Sequence, residues 1–324
     1  MLSIEAYRQA FISYLESRTT KREPVNLYEP MNYIMGLGGK RLRPTLTLVT
    51  ADLFGGDHKD ALDAALAVEI FHNFSLVHDD IMDDAPLRRG KETVHEKWDI
   101  NTGILSGDAM LILAYQLFEN YEPATFRELA KLFSKTAIEV CEGQQYDVDF
   151  ENRDDVSIDE YLKMITYKTA VLLGASLKMG AIIAGASEED ANGIYDFGIN
   201  LGIAFQIMDD YLDVFGDQES FGKQVGGDIM ENKKTYIYLR TLERLDPEDA
   251  RQLEHLYSVY PKDPSDKVRS VMELMVSSGA KDITLEAIES YTNKALNTLD
   301  HMAISDSGKD LLRAFAMGLM RRTT

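Results

Sequence analysis

Apolar residues in this chain recur three and four positions apart along almost its whole length, as in Ala61-Leu62, Ala65-Leu66, Glu69-Ile70 and Phe71. That period draws one apolar stripe along a helix, whereas alternating stretches rich in β-branched residues, the mark of half-buried strands, are scarce. The expected fold class is all-α. Breaks are expected at Thr19 to Asn26, Gly55 to Asp60, Pro86 to Thr93, Glu151 to Ser157, Gly216 to Asp228 and Pro261 to Ser265, where glycine, proline or charge clusters. None reads as a long linker and composition does not shift midway, so residues 1–324 are expected to form a single domain. Two segments apolar almost all round, Thr169 to Ala186 and Phe197 to Met208, are expected in the interior.

Composition narrows the function classes. Of the 324 residues 45% are apolar, enough for a sizeable core, and the formal charge of -20 works against binding nucleic acid or an anionic membrane surface. An anionic substrate would need local cations. The single cysteine, Cys141, excludes an internal disulfide, so the default compartment is the reducing cytoplasm, with Cys141 expected as a small core residue. The first 20 residues lack the pattern of a signal peptide, and no charge-free apolar run approaches the roughly 20 residues that cross a bilayer.

Two acid clusters share one spelling, Asp79-Asp80-Ile81-Met82-Asp83 and Asp209-Asp210-Tyr211-Leu212-Asp213, each directly after an apolar run. On a helix, residues four apart lie about 40° apart, so each cluster presents a pair of carboxylates on one face. Like charges so placed repel, and hard oxygen donors suit magnesium between them. A lone acidic run would be read as a solvated face; two in apolar flanks point to metal.

Cations flank both acid clusters. Gly38-Gly39-Lys40-Arg41-Leu42-Arg43-Pro44 puts three cations in four residues beside a glycine break, a pattern that suits an oxyanion. Arg88-Arg89-Gly90 follows the first acid cluster by one loop. Around the second stand Lys168-Thr169, Gln206, Lys223 and Lys233-Lys234. His72 lies seven residues before Asp79, about 20° away on the helical wheel. Phe71, Phe74, Leu76 and Val77 lie beneath the first acids. An ionic end above an apolar depth asks for a substrate with a diphosphate head and a hydrocarbon tail.

In their joint order these segments resemble the trans-isoprenyl diphosphate synthases of the polyprenyl synthetase family. The landmarks are GGKRLRP at 38–44, HNFSLVHDDIMDD at 72–84, RRG at 88–90, GDAM at 107–110, GQQYD at 143–147, YKT at 167–169, FQIMDDYLDVFGD at 205–217 and GKQVGGDIMENKKTY at 222–236. The resemblance implies the type I isoprenoid synthase fold, a helical bundle around a central cavity. It also implies a homodimer and magnesium, three ions, bridging the two acid motifs.

Residue by residue, Asp79 and Asp83 resemble ligands of two magnesium ions and Asp209 of a third, with Asp80, Asp210 and Asp213 supporting. Arg88, Lys168, Gln206 and Lys223 resemble the grip on an allylic diphosphate. Lys40, Arg43, His72 and Arg89 resemble the isopentenyl diphosphate site. Lys233 matches a lysine near the leaving diphosphate, and Thr169 with Gln206 matches groups that steady the carbocation. Ser75 and Phe74, four and five residues before the first motif, occupy positions that help set product length in the family. Phe74 lies about 140° from Asp79 on the wheel and Phe71 about 80°, roughly 12 Å down the helix, so Phe71 is a further candidate for the cavity floor. These features lean to a twenty-carbon product, with fifteen as the alternative. A type I terpene cyclase would share the aspartates but not the GGKRLRP and His72 half, and a non-catalytic subunit of a synthase heteromer would typically lose aspartates that are intact in this chain.

Overall fold

The computed structural model describes residues 1–18, 21–216 and 226–321. Lys223 lies outside them. The described residues are helical almost throughout, with one two-stranded hairpin. They divide into two compact units, Met1–Lys135 with Ala175–Asn192, and Thr136–Gly174 with Gly193–Thr324. Helices α7 (Pro123–Glu151), α9 (Val171–Ile183) and α10 (Glu188–Phe215) contribute residues to both.

The first unit holds α1 (Ile4–Arg18), α2 (Val25–Gly36), α3 (Leu42–Leu53), α4 (Leu62–Met82), α5 (Val94–Lys97) and α6 (Ile100–Phe118). Helix α4, which ends in the first acid motif, packs most extensively on α6 and next on α3. Small residues let the helices close up: Ala64, Ala65 and Ala67 are buried on α4. On α6, a Cβ at Gly103 would stand 2.8 Å from Ile81 Cδ1, and one at Gly107 2.3 Å from His78 Nε2. The four-residue spacing of these glycines draws α6 against the turn that carries Asp79 and Asp80. Helix α6 starts sharply because the Asp99 carboxylate accepts the Thr102 N–H.

The expected break at Pro86 to Thr93 has structure of its own. Strand β1 (Leu87–Arg88) pairs antiparallel with β2 (Lys91–Glu92), and the connecting Arg89 and Gly90 both have positive φ, 54° and 74°. Two such residues make the tight turn that matches strand twist.

The second unit holds α8 (Ile158–Ile165), α11 (Gly227–Met230), α12 (Tyr236–Arg244), α13 (Pro247–Leu256), α14 (Ser265–Ser277), α15 (Ala280–Asp300) and α16 (Asp306–Met320). Ser157 and Glu160 form a capping box that starts α8. The α-helical ladder then yields to a π-helical turn over Thr166–Ala170, a feature that gathers at functional sites. Gly143 on α7 makes room for that turn, because a Cβ there would lie 2.2 Å from the Lys168 backbone nitrogen.

Both apolar segments are interior, with Leu177, Met179, Phe197, Leu201, Ala204 and Ile207 among the fully buried residues. Cys141 corrects its expectation: it is exposed. The buried row of α7 runs through Phe133, Thr136 and Val140, and the next residue points about 100° away from it. Among the described residues no helix is long and apolar enough to cross a membrane.

Replacing Gly143 with Ala forces backbone to move against the π-helical turn, and overpacking of this kind costs about 1–3 kcal/mol. Urea denaturation of Gly143→Ala should show the loss, and an unchanged midpoint would mean that α7 and the turn are not locked together.

Candidate active site

The first acid motif closes α4, and its three aspartates differ in exposure. Asp79 is half-buried and Asp83, the C-cap, is exposed. Asp80 is fully buried, and Arg88 on β1 donates to its Oδ1 from Nε at 2.9 Å and from a second guanidinium nitrogen. Burial raises the Asp80 pKa, and Arg88 pulls it back. The other oxygen, Oδ2, is buried without a hydrogen bond. His95 on α5 is also buried, with neither ring nitrogen hydrogen-bonded.

A basic patch forms around the glycine-rich segment of the same unit. The Arg89 guanidinium donates to the Gly38 carbonyl and lies where a Gly39 Cβ would sit, 2.9 Å from its central carbon. With φ of 82° and 120°, Gly38 and Gly39 also adopt backbone that favours glycine. Arg43 Nη1 lies 3.4 Å from His72 Nε2, and Arg43 Nε is buried without a partner. Burial, then Arg43 and Arg89, holds the His72 pKa well below its ordinary value. Lys40 is exposed at the edge of the segment. Arg41 has a different role: buried, it pairs with Glu69 and donates to the Met35 carbonyl, anchoring the loop to α4.

Phe71 is fully buried, with ring centroids 5.4 Å from Phe74 and 5.1 Å from Phe133, which in turn meets Phe118 at 5.2 Å and Tyr115 at 4.7 Å. Phe74 retains 8% exposure and meets His78 edge-on at 4.8 Å. Ser75 donates to the His72 carbonyl of its own helix at 2.8 Å. Elsewhere in this unit a cavity of ≈ 390 Å³ is lined by Met31, Met35, Leu66, Ile70 and Met110 among others, none of them a predicted site residue.

In the second unit the acid motif lies on α10. Asp209 and Asp213 are half-buried, while Asp210 is only 5% exposed. Tyr161 donates to Asp210 Oδ2, and Gln206 Nε2 donates to Oδ1 at 3.2 Å. Thr169 Oγ1 donates to Gln206 Oε1 at 3.2 Å. Burial, then the negative charge of Asp228, raises the Asp210 pKa well above its ordinary value, and the same burial keeps Tyr161 protonated. Asp213 Oδ2 accepts the Asp228 N–H at 2.8 Å. Lys168 on the π-helical turn pairs with Asp147 at 2.6 Å. Lys233 pairs with Glu231 at 2.8 Å; burial lowers its pKa, but Glu231, Asp228 and Asp147 together raise it further. Asp147 and Tyr161 were not singled out as site residues by sequence reasoning, although Asp147 ends the GQQYD landmark.

A buried carboxylate oxygen without a partner, Asp80 Oδ2, fits a hard divalent cation. Among the described residues, sets of three ligating atoms within 4.8 Å of one another occur at Asp52, Asp57 and His58 and at Asp84, His95 and Glu96; the motif aspartates form no such set.

A sequence model of the polyprenyl synthetase family matches residues 24–275. Geranylgeranyl diphosphate synthase of Sulfolobus acidocaldarius is 39% identical over 306 residues, 91% of each chain. Geranylfarnesyl diphosphate synthase of Natronomonas pharaonis is 35% identical over 321 residues, 93% of this chain and 92% of its own. A crystal structure of a geranylgeranyl pyrophosphate synthase superposes with a TM-score of 0.96 at 55% identity, covering all of both chains. The family match runs through both units and includes every candidate site residue, and with relatives this similar over nearly the whole length the chain belongs to the polyprenyl synthetase family.

Proposed function

We propose that this prenyltransferase condenses an allylic diphosphate with isopentenyl diphosphate, head to tail, to give an all-trans polyprenyl diphosphate of twenty carbons. The observation that carries the reading is the Arg43, His72 and Arg89 patch in addition to two acid motifs, since a second anion needs a second set of cations. A terpene cyclase, with one diphosphate to hold, has no use for it. The unbroken family match from 24 to 275 supports treating the chain as one catalytic domain.

Asp79, Asp83 and Asp209 would hold the magnesium, three ions in all, with Asp80, Asp210 and Asp213 supporting. Bound magnesium would neutralise the allylic diphosphate and so ease its departure. Arg88 in the first unit and Lys168, Gln206 and Lys233 in the second are the candidate allylic-diphosphate groups, together with Lys223, which lies outside the described residues. Arg43, His72, Arg89 and Lys40 orient isopentenyl diphosphate. The Thr169 and Gln206 dipoles at the π-helical turn steady the positive charge as the allylic bond breaks. The isopentenyl double bond attacks, and the proton then lost passes to the departed diphosphate, because no side chain stands out as a general base. The decisive assay incubates the protein with magnesium, isopentenyl diphosphate and each allylic primer, and reads products by mass spectrometry. Asp79→Ala and Asp209→Ala should each lower kcat at least about a hundredfold with little change in melting, and near-wild-type rates at limiting magnesium would sink the assignment.

Phe74, barely exposed beside the fully buried Phe71, is the candidate floor residue, and its bulk favours a short product, twenty carbons, over long chains. Fifteen carbons remain the alternative. Phe74→Ala should lengthen the product. Phe71→Ala should instead cost about 3–5 kcal/mol of stability, because its ring is enclosed by Phe74 and Phe133. An unchanged product distribution for Phe74→Ala would put the floor elsewhere.

The homodimer reading is supported by an apolar row on α6, where Ile104, Leu105 and Ile112 are 41%, 60% and 58% exposed. Sedimentation velocity should give a dimer for the native chain and a monomer for Leu105→Lys. A dimer for both would place the interface on another face.

A further inference from the structure

The geometry points to Tyr161 as the positioning residue of the second acid motif: its hydroxyl, through Asp210, sets the helical phase at which Asp209 and Asp213 are presented to magnesium. This rests on the metal reading above and adds a residue that the motifs do not contain. Tyr161 lies in the first turn of α8, is 2% exposed, and donates to Asp210 Oδ2. The other Asp210 oxygen is taken by Gln206, one turn back on α10, and Gln206 is itself held by Thr169 on the π-helical turn that continues α8. The hydrogen bonds therefore close a ring. It runs from Tyr161 along α8 to Thr169, across to Gln206, and down α10 to Asp210.

A carboxylate with both oxygens filled from the protein side acts as a fixed pin. On the helical wheel Asp213 lies about 60° and Asp209 about 100° from Asp210, both to the same side, so fixing Asp210 fixes the angle at which the other two are presented. Buried Ile207, Leu212 and Val214 already hold these turns of α10, and the ring adds the polar contact that fixes the Asp210 side chain and trims the angle of the self-repelling Asp209 and Asp213. Asp213 has a further brace in the Asp228 N–H at 2.8 Å. In the other unit Arg88 holds only one oxygen of Asp80, and there the donor is a candidate substrate-binding cation. Tyr161 is not among the groups proposed to touch either diphosphate. Its effect can therefore be separated from binding.

The test uses the full chain and two substitutions. Tyr161→Phe keeps the ring and removes only the donor. Magnesium-dependent binding of inorganic diphosphate, followed by calorimetry, should need about tenfold more magnesium, the range typical when an outer partner of a metal-binding carboxylate is lost. Half-saturation of turnover by magnesium should rise in parallel, while KM for isopentenyl diphosphate stays within about twofold and melting within a few degrees. Asp210→Asn keeps an acceptor for Tyr161 and should retain far more of the magnesium affinity than Asp210→Ala, and adding Tyr161→Phe to Asp210→Ala should cost little more. The proposal is overturned if Tyr161→Phe leaves the magnesium requirement at the wild-type value, or if Asp210→Asn and Asp210→Ala are equally impaired. The second comparison decides the matter should Tyr161→Phe melt below the assay temperature. The metal reading beneath it fails separately, on wild-type protein whose diphosphate binding ignores magnesium.

Discussion

Withdrawing a carboxylate from water costs on the order of several kcal/mol unless hydrogen bonds replace the lost solvent, and the chain buries one in the middle of each acid motif. Asp80 is met by Arg88 and Asp210 by Tyr161 and Gln206. The need to supply those donors accounts for features that look unrelated in the sequence. The hairpin over 87–92 delivers Arg88, and its left-handed Arg89-Gly90 turn lets the next arginine swing back onto Gly38. The capping box that starts α8 sets where Tyr161 falls, and the π-helical turn that ends α8 sets where Thr169 falls. Glycines at 39, 103, 107 and 143 leave room for Arg89, Ile81, His78 and the Lys168 backbone, the neighbours of those donors and acids in the chain.

Much of this was legible in the sequence, for different reasons in different places. Helical periodicity is written over many residues, so the all-α class and most breaks could be read directly. The acid and basic clusters are local and charged, which makes them conspicuous. What escaped notice depends on contacts between distant segments. Tyr161 precedes Asp210 by 49 positions and looks like any aromatic on an amphipathic helix. Asp147, partner of Lys168, was visible only as one more acid in an acidic chain. Arg41 is indistinguishable by spelling from Lys40 and Arg43, yet it is a structural ion pair with Glu69, since only burial separates an anchoring cation from a binding one. Cys141 went astray because cysteine is buried on average, while its place on α7 follows from the phase of that helix and not from its type.

The aromatic cluster divides labour among residues that sequence reasoning grouped together. The wheel puts Phe71 closer in angle to Asp79, but its ring is fully enclosed by Phe74 and Phe133, and Phe133 comes from α7, some sixty residues later in the chain. Phe74 keeps a small exposed edge and a contact with His78, the residue just before the acid motif. Two phenylalanines three residues apart on one helix thus differ in enclosure, and depth below the acids does not by itself separate them.

The basic patch at Arg43, His72 and Arg89 belongs to a molecule of net charge -20. At long range an approaching diphosphate meets a repulsive field, and attraction takes over only near the patch. Dissolved salt shortens the reach of the repulsion to about 10 Å at 0.1 M and acts far less on partly buried cations. If the patch binds diphosphate as proposed, encounter and capture respond oppositely to ionic strength: moderate salt lowers the barrier to arrival while leaving the grip largely intact, and the patch acts less as a beacon than as a latch.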